Sequence, residues 1–231
     1  GAQAFMGSGL NGTLALPEGV ASVGAQAFAQ SNVKNLVLPT TLRSIGNAAF
    51  APMTKLASIN ADGNNSFVVN NGLLTSADGK RLLVTAHQGD IGEALANDVI
   101  ETIDNYGLAY APFKTVSLPA LKSIGNYGFA NSKLEEYTLE GDVTVGYNLF
   151  TASALKNLVF GDGRNEIPNA ICLNCTALES VTLPTTATNI MQNAFAGCTA
   201  LKELELPANV NYMEPGAVPA TIEKLRVLNG N

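Results

Sequence analysis

The stretch VTLPTTATNIMQNAFAGCTALKELELP (residues 181–207) ends much as it begins: Val181-Thr182-Leu183-Pro184 returns as Leu204-Glu205-Leu206-Pro207. Between the two copies stand Ile190, the pair Ala194-Phe195, Cys198 and Leu201. Working outward, each apolar position of this register returns roughly every 21 to 23 residues over most of the chain. Towards the N-terminus, Leu14-Ala15-Leu16-Pro17 leads to Val20, Val23-Gly24 and Ala27-Phe28, and Leu36-Val37-Leu38-Pro39 leads to Leu42, Ile45-Gly46 and Ala49-Phe50. Nearer the middle, Val116-Ser117-Leu118-Pro119 precedes Leu121, Ile124-Gly125 and Phe129, and Tyr137-Thr138-Leu139 precedes Val143, Val145-Gly146 and Phe150. The unit holding Leu158, Phe160, Ile167 and Ile171 is the least regular, and Leu225 to Leu228 reads as a terminal strand with nothing packed beyond it.

Each piece of the unit has a physical meaning. A short apolar alternation ending in proline is a strand with a sharp stop, because proline has no N–H to donate onward. Leu-x-x-Ile-Gly is a second extended piece whose glycine allows a tight corner. The Asn-x-Ala-Phe piece is too short for a stable helix and predicts a single helical or 3-10 turn whose Phe plugs the core. One such unit cannot bury its apolar face alone, so the units stack and each turn covers its neighbour. The expectation is one solenoid domain over residues 1–231, built mostly of short strands.

The period breaks between Ala61 and Ala94. Two β-rich runs, Phe67 to Thr75 and Arg81 to Thr85, flank Ser76-Ala77-Asp78-Gly79. Asp-Gly between apolar runs signals a hairpin, since glycine accepts the positive φ of the turn. This single β-hairpin insertion (within residues 61–94) is expected to project from the solenoid, carrying the only histidine, His87.

A net charge of -6 with 13 Lys and Arg argues against a nucleic-acid surface, where affinity comes mostly from cationic contacts. No apolar run approaches a membrane span and no polybasic helix suggests surface adsorption, so any membrane link is expected from an anchor outside this chain. No signal peptide is visible. The chain opens in mid-repeat, with Ala4-Phe5 standing 23 residues before Ala27-Phe28, which suggests that something upstream has been removed and that Gly1 is an expression scar; export stays open.

Candidate chemistry is sparse, and neither catalysis nor a cofactor is expected. Cys172 and Cys175 have the spacing of a metal or redox pair, but a zinc site needs about four ligands and only Cys198 and the distant His87 remain. Cys175 and Cys198 share a slot 23 residues apart and Cys172 falls near the slot of Phe195, which favours small core residues; a Cys172–Cys175 disulfide stays possible. His87 has Ser66, Ser76, Asp78 and Asp90 near it in sequence without a nucleophile-elbow pattern, and is expected to be solvated. The acidic groups Glu135, Glu136, Glu140 and Asp142, and those between Asp162 and Glu166, lack the spacing of a calcium loop and read as solvated charge.

The more informative set is the middle residue of each Leu-x-Leu. Its neighbours point inward, so it faces solvent on the shared sheet. That column reads Ala15, Val37, Asn60, Ser117, Thr138, Val159, Thr182, Glu205 and Arg226. It is mostly small, which lets a partner approach closely, and Ser117, Thr138, Val159, Thr182 and Glu205 are the candidate partner-binding residues. The hairpin, with Phe67, Val69, Leu73, Leu82 and Val84, is a second candidate, though packing on the solenoid edge is favoured for it. Tyr106 and Tyr127 share a slot, with Tyr147 close to it, and offer a short aromatic track for a glycan.

The pattern Leu-x-Leu-Pro…Leu-x-x-Ile-Gly-x-x-Ala-Phe-x-x-Cys-x-x-Leu resembles the BspA-type leucine-rich repeat over nearly the whole chain. Asn71-Gly72-Leu73-Leu74 with Asp78-Gly79 resembles a hairpin that members often carry, while Gly128-Phe129 and Leu149-Phe150 depart from Ala-Phe. The resemblance implies a leucine-rich-repeat solenoid in a bacterial, Bacteroidetes-like surface or secreted protein. Its implied role is non-enzymatic binding or adhesion to extracellular or host protein, with glycan capture as the alternative.

Overall fold

The computed structural model describes residues 1–87 and 91–228. In it each Leu-x-Leu segment becomes a strand, and most of these strands pair in parallel with the same segment one period on. These front strands are Asn11–Ala15, Asn32–Val37, Ser58–Asn60, Ala94–Ala96, Thr115–Ser117, Glu136–Leu139, Asn157–Phe160, Ser180–Thr182, Glu203–Leu206 and Lys224–Val227. The Leu-x-x-Ile segments form a second, back ladder of two-residue strands such as Ser44–Ile45, Ser123–Ile124 and Asn189–Ile190. Alternation in the front strands sends Leu158 and Phe160 inward while Val159 stays exposed, and the core fills the space between front strands, back strands and the turns that follow.

Those turns correct one expectation. The Ala-Phe segments are neither helical nor 3-10, and no helix occurs among the described residues. The cause is a left-handed residue every fourth position: Gln26 and Gln30, Tyr106 and Tyr110, Tyr127 and Asn131, Asn148 and Ala152 all have φ between 54° and 61°. A left-handed residue ends a right-handed helix at once, so each segment is a run of separate turns. The hydrogen bonds agree. Ala27 N and Ala29 N donate back three residues to Gly24 and Gln26, whereas Phe28 N donates across to Ala49 of the next coil at 2.8 Å. The Phe rings plug the core as expected, with Phe50, Phe129, Phe150 and Phe195 essentially fully buried. Phe28 stacks on Phe50 at 5.8 Å and Phe129 on Phe150 at 5.5 Å.

The corner glycines act through contact between coils. A Cβ on Gly125 would stand 2.5 Å from the Asn105 backbone nitrogen, and one on Gly46 2.4 Å from that of Ala25. Neither has a positive φ, so close approach of stacked backbones, rather than torsional freedom, demands glycine there.

The insertion also departs from expectation: it is a three-stranded antiparallel meander, Phe67–Asn70, Leu73–Ser76 and Arg81–Thr85, and it does not project. Asn71-Gly72 makes the first turn, both residues at positive φ, and Asp78-Gly79 the second. Its last strand pairs parallel with Thr102–Ile103 and so becomes a rung of the back ladder. Arg81 grips Asp104 of the next coil with two hydrogen bonds of 2.8 and 2.7 Å. Strand alternation sends Leu73 and Leu82 into the apolar cluster of the C-terminal coils, and Leu74 and Leu83 into that of the N-terminal coils. Both faces of the meander are covered, which explains why a segment expected at the surface is so apolar. On the turn side the coils stack past it, Asn105 N donating to Asn47 Oδ1 across 58 residues.

Candidate partner-binding face

The front ladder carries the outward column in the register expected from the sequence. Ala15 pairs with Val37 and Val37 with Asn60; Thr138 pairs with Val159 and Val159 with Thr182; Glu205 pairs with Arg226. Ser117, Thr138, Val159, Thr182 and Glu205 are all exposed on this one face. Sequence reasoning left out Ala96, which pairs with Ser117 and extends the column by one coil. Its unit lacks the second Leu and the Pro, Leu95-Ala96 running into Asn97, so only its place in the period marked it.

The column is not uniform. Adjacent front strands hydrogen-bond from Glu136–Leu139 through Ser180–Thr182, but Thr115–Ser117 and Glu136–Leu139 form no ladder with each other, and neither do Ser180–Thr182 and Glu203–Leu206. A groove of about 760 Å³ lies along the first of these gaps. Beside this gap Tyr137 fills an inward slot held in other units by Leu14, Leu36, Val116, Leu158, Val181 and Leu204. The ring packs between Phe129 and Phe150, with centroids 5.1 and 5.5 Å away, and burial pushes its phenol pKa up, with Glu140 adding to the shift. Glu140 in turn stands where Pro17, Pro39, Pro119, Pro184 and Pro207 close their strands. Glu136, Thr138, Glu140 and Asp142 line one wall and Thr115 and Ser117 the other.

Elsewhere on the coils, several acids are neutralised across neighbouring turns. Glu101 bridges Lys80 and Lys122 at 2.7 Å each, Lys156 lies 2.7 Å from Glu135, and Lys114 lies 2.9 Å from Glu93. Among the described residues Glu136, Glu140 and Asp142 have no such ion pair. Asp162, weighed above as an oxygen ligand, instead accepts two 2.8 Å hydrogen bonds from Thr185, and no acidic cluster among the described residues has metal-holding geometry.

The tyrosines lie on the turn edge. Tyr106 and Tyr127 are half-buried and stack face to face at 4.8 Å and 1°. Tyr147 is edge-on to Tyr127 at 5.7 Å and 51% exposed. Each shared face is one a sugar cannot use, so the track offers one open ring rather than a platform.

The three cysteines are free, buried core residues. Cys175 Sγ donates to the Phe150 carbonyl at 2.9 Å and Cys198 Sγ to that of Cys172 at 3.0 Å. Burial holds the Cys172 thiol far above its usual range and pushes Cys198 up to about 12. His87 is not solvated as expected. It is largely buried, its N–H donates to Leu56 O at 2.7 Å, and its ring lies 5.8 Å from that of Tyr110. Desolvation drops its pKa to about 4, against a smaller opposing hydrogen bond to Met53. Ser76 Oγ donates to Asp78 at 2.6 Å, closing the second turn of the meander rather than meeting His87; Asp90 lies outside the described residues.

The chain is similar in fold to several bacterial proteins. A leucine-rich repeat protein from Eubacterium ventriosum superposes with a TM-score of 0.80 at 23% identity, over 96% of this chain and 67% of that one. A leucine rich cell surface protein from Faecalibacterium prausnitzii gives 0.63 at 19%, over 95% and 60%. A leucine-rich repeat protein from Bacteroides ovatus gives 0.54 at 18%, over 97% and 71%. At these identities the likeness is one of fold, and this chain spans about two thirds of those proteins. No curated protein matches it in sequence. The BspA type leucine rich repeat region, in six copies, matches residues 1–76 and 101–220. The stacked coils and this match over most of the sequence place the chain in the BspA-type leucine-rich repeat family.

Proposed function

We propose that this chain is the recognition module of a cell-surface or exported bacterial protein, non-enzymatic, which holds an extracellular protein partner against its front ladder. The observation that supports this is the exposed column on the front face, in register within each of the ladders Ala96–Ser117, Thr138–Val159–Thr182 and Glu205–Arg226 and small-sided over most of its length, beside a groove at Tyr137. A broad face of short side chains lets a partner's backbone come close. Affinity then comes from many modest contacts, with a few well-placed ones dominating. Glycan capture is the second reading, resting on Tyr147 alone as an open ring. Binding of the full chain to parallel arrays of extracellular-matrix glycoproteins and polysaccharides tests both. Saturable protein binding that is lost on changing Thr138 and Thr182 together to Arg supports the ladder. A polysaccharide signal unaffected by those changes and lost in Tyr147→Ala moves the function to the turn edge.

A further inference from the structure

Of the six tyrosines in the chain, Tyr106 and Tyr127 are the one pair among the described residues that lies ring on ring. They occupy the same slot of successive coils, Tyr106 N donating at 3.0 Å to the Asn126 carbonyl just before Tyr127. Both adopt a left-handed φ, of 61° and 58°, so the two side chains leave their backbones in the same sense. The rings stand 4.8 Å apart and 1° from parallel. That spacing is set by the hydrogen-bonded separation of neighbouring strands in a sheet. Asn148 Nδ2 donates to the Tyr127 hydroxyl at 3.0 Å and holds that ring in place. Burial raises the Tyr106 phenol above its ordinary range, and the Tyr127, Tyr147 and Tyr110 phenols add to the rise, so the hydroxyl ends converge. Both rings are half-buried on the turn edge, within reach of a small oxidant.

Two phenols held this way are set up for one reaction. A phenol that gives up one electron and one proton becomes a radical whose unpaired spin lies partly on the carbons ortho to the oxygen. Two such radicals join there: a carbon–carbon bond forms between the rings, and the two displaced ring hydrogens move to the oxygens and restore both hydroxyls. The two hydrogen atoms lost overall reduce one hydrogen peroxide to two waters, with a haem peroxidase as the one-electron carrier. We propose that Tyr106 and Tyr127 are an oxidative cross-linking site, at which peroxide and a peroxidase form a dityrosine staple between successive coils. This goes beyond the recognition reading and does not depend on it. Prior placement of the reacting groups replaces a chance encounter with a step inside one molecule. The stacked pair therefore couples ahead of the more exposed Tyr147 and Tyr212, whose partners would have to come from other chains. The thiols that peroxide would otherwise consume are buried in the core. Once formed, the bond closes a loop between neighbouring coils and restricts the unfolded chain as a disulfide of that span does.

The test treats the dilute full chain with a haem peroxidase and limiting hydrogen peroxide. Dityrosine fluorescence and mass spectrometry of a tryptic digest are then read. Cleavage after Lys114, Lys122 and Lys133 leaves Tyr106, Tyr127 and Tyr147 on separate peptides. The expected product runs as a single chain on a denaturing gel. Its digest joins the Tyr106 and Tyr127 peptides at two hydrogens below their summed mass. Tyr147 supplies the internal control, because it meets Tyr127 edge-on at 5.7 Å and 81° rather than stacked. If stacking decides, the Tyr106–Tyr127 product exceeds the Tyr127–Tyr147 product by at least about fivefold. Tyr106→Phe and Tyr127→Phe keep the stacked rings and the fold, and each is expected to lower single-chain fluorescence at least about fivefold, the advantage of prior placement being lost. Tyr106→Phe also separates coupling at Tyr106 from coupling at Tyr110 on the same peptide. Tyr212→Phe is expected to leave the single-chain yield unchanged. Cross-links found only between chains, a digest that joins Tyr147 in place of Tyr106, or fluorescence that survives in both Tyr106→Phe and Tyr127→Phe overturns the site.

Discussion

The coil at residues 181–207 and the insertion between Ala61 and Ala94 bury apolar side chains equally well, by different rules. In the coil, each side chain is covered by the same slot one period away: Phe195 and Cys198 sit at the sites where Phe150 and Ser153 sit two coils earlier. In the meander, coverage comes from two directions, Leu82 facing one cluster and Leu83 the other. The difference teaches that a repeat can be read one unit at a time, whereas an interruption takes its meaning from what stands on either side.

The largest effect belongs to the coil. Phe195→Ala removes a fully buried ring whose neighbours are held by hydrogen bonds between coils, so the site collapses poorly and unfolding free energy falls by about 3 to 5 kcal/mol in denaturant titration. A loss under about 0.5 kcal/mol would mean the inward register is misassigned.

The insertion carries the pH dependence. His87 has a folded pKa of about 4 against 6.5 unfolded. The folded state therefore resists protonation that the unfolded chain accepts. The burial of neutral His87 is uncompromised above pH 6.5, and stability is lost as pH falls from 6.5 towards 4, by up to about 3 kcal/mol. In His87→Leu that slope flattens while the carboxylate-driven loss at lower pH remains. An unchanged slope would return His87 to the solvent-exposed role expected from the sequence.

Gly125→Ala tests the stacking rule itself. The added Cβ meets Asn105 backbone at 2.5 Å, where no flexible side chain can yield, and a cost of about 1 to 3 kcal/mol is expected from forced overpacking. The same change at Gly163, which has open space around it and a φ of 97°, loses only through torsion. A smaller cost at Gly125 than at Gly163 would show that torsion, as the sequence first suggests, is the reason for the corner glycine.

How much was legible follows from this. The period, the inward Leu and Phe positions and the outward column could all be read, because each is set by alternation and stacking that any one unit displays. The turn geometry could not, since nothing in Asn-Ala-Phe announces that Asn193 adopts a φ of 57°; that choice belongs to hydrogen bonds with the adjacent coil. His87 and the meander were misplaced because solvent exposure was inferred from broken periodicity, when the break is filled by coils on both sides. The groove was visible only as two odd residues, Tyr137 and Glu140, taken separately as core and as solvated charge.

The smallest effect bears on that groove. If Tyr137 holds the strands apart by its bulk, Tyr137→Leu restores the common residue and lets Glu136–Leu139 approach Thr115–Ser117. Lost ring contacts with Phe129 and Phe150 oppose new backbone hydrogen bonds of about 1 kcal/mol each, so net stability is expected to change by less than about 1.5 kcal/mol, the usual scale of apolar swaps. The decisive readout is local. Amide hydrogen exchange at residues 136–139 is expected to be faster in the parent than at 157–160, where the ladder is complete on both sides. Tyr137→Leu is expected to slow it towards the rate of the complete strands. Unchanged exchange beside a filled slot would assign the gap to Glu140 in the proline position, and Glu140→Pro would then be the variant that closes it.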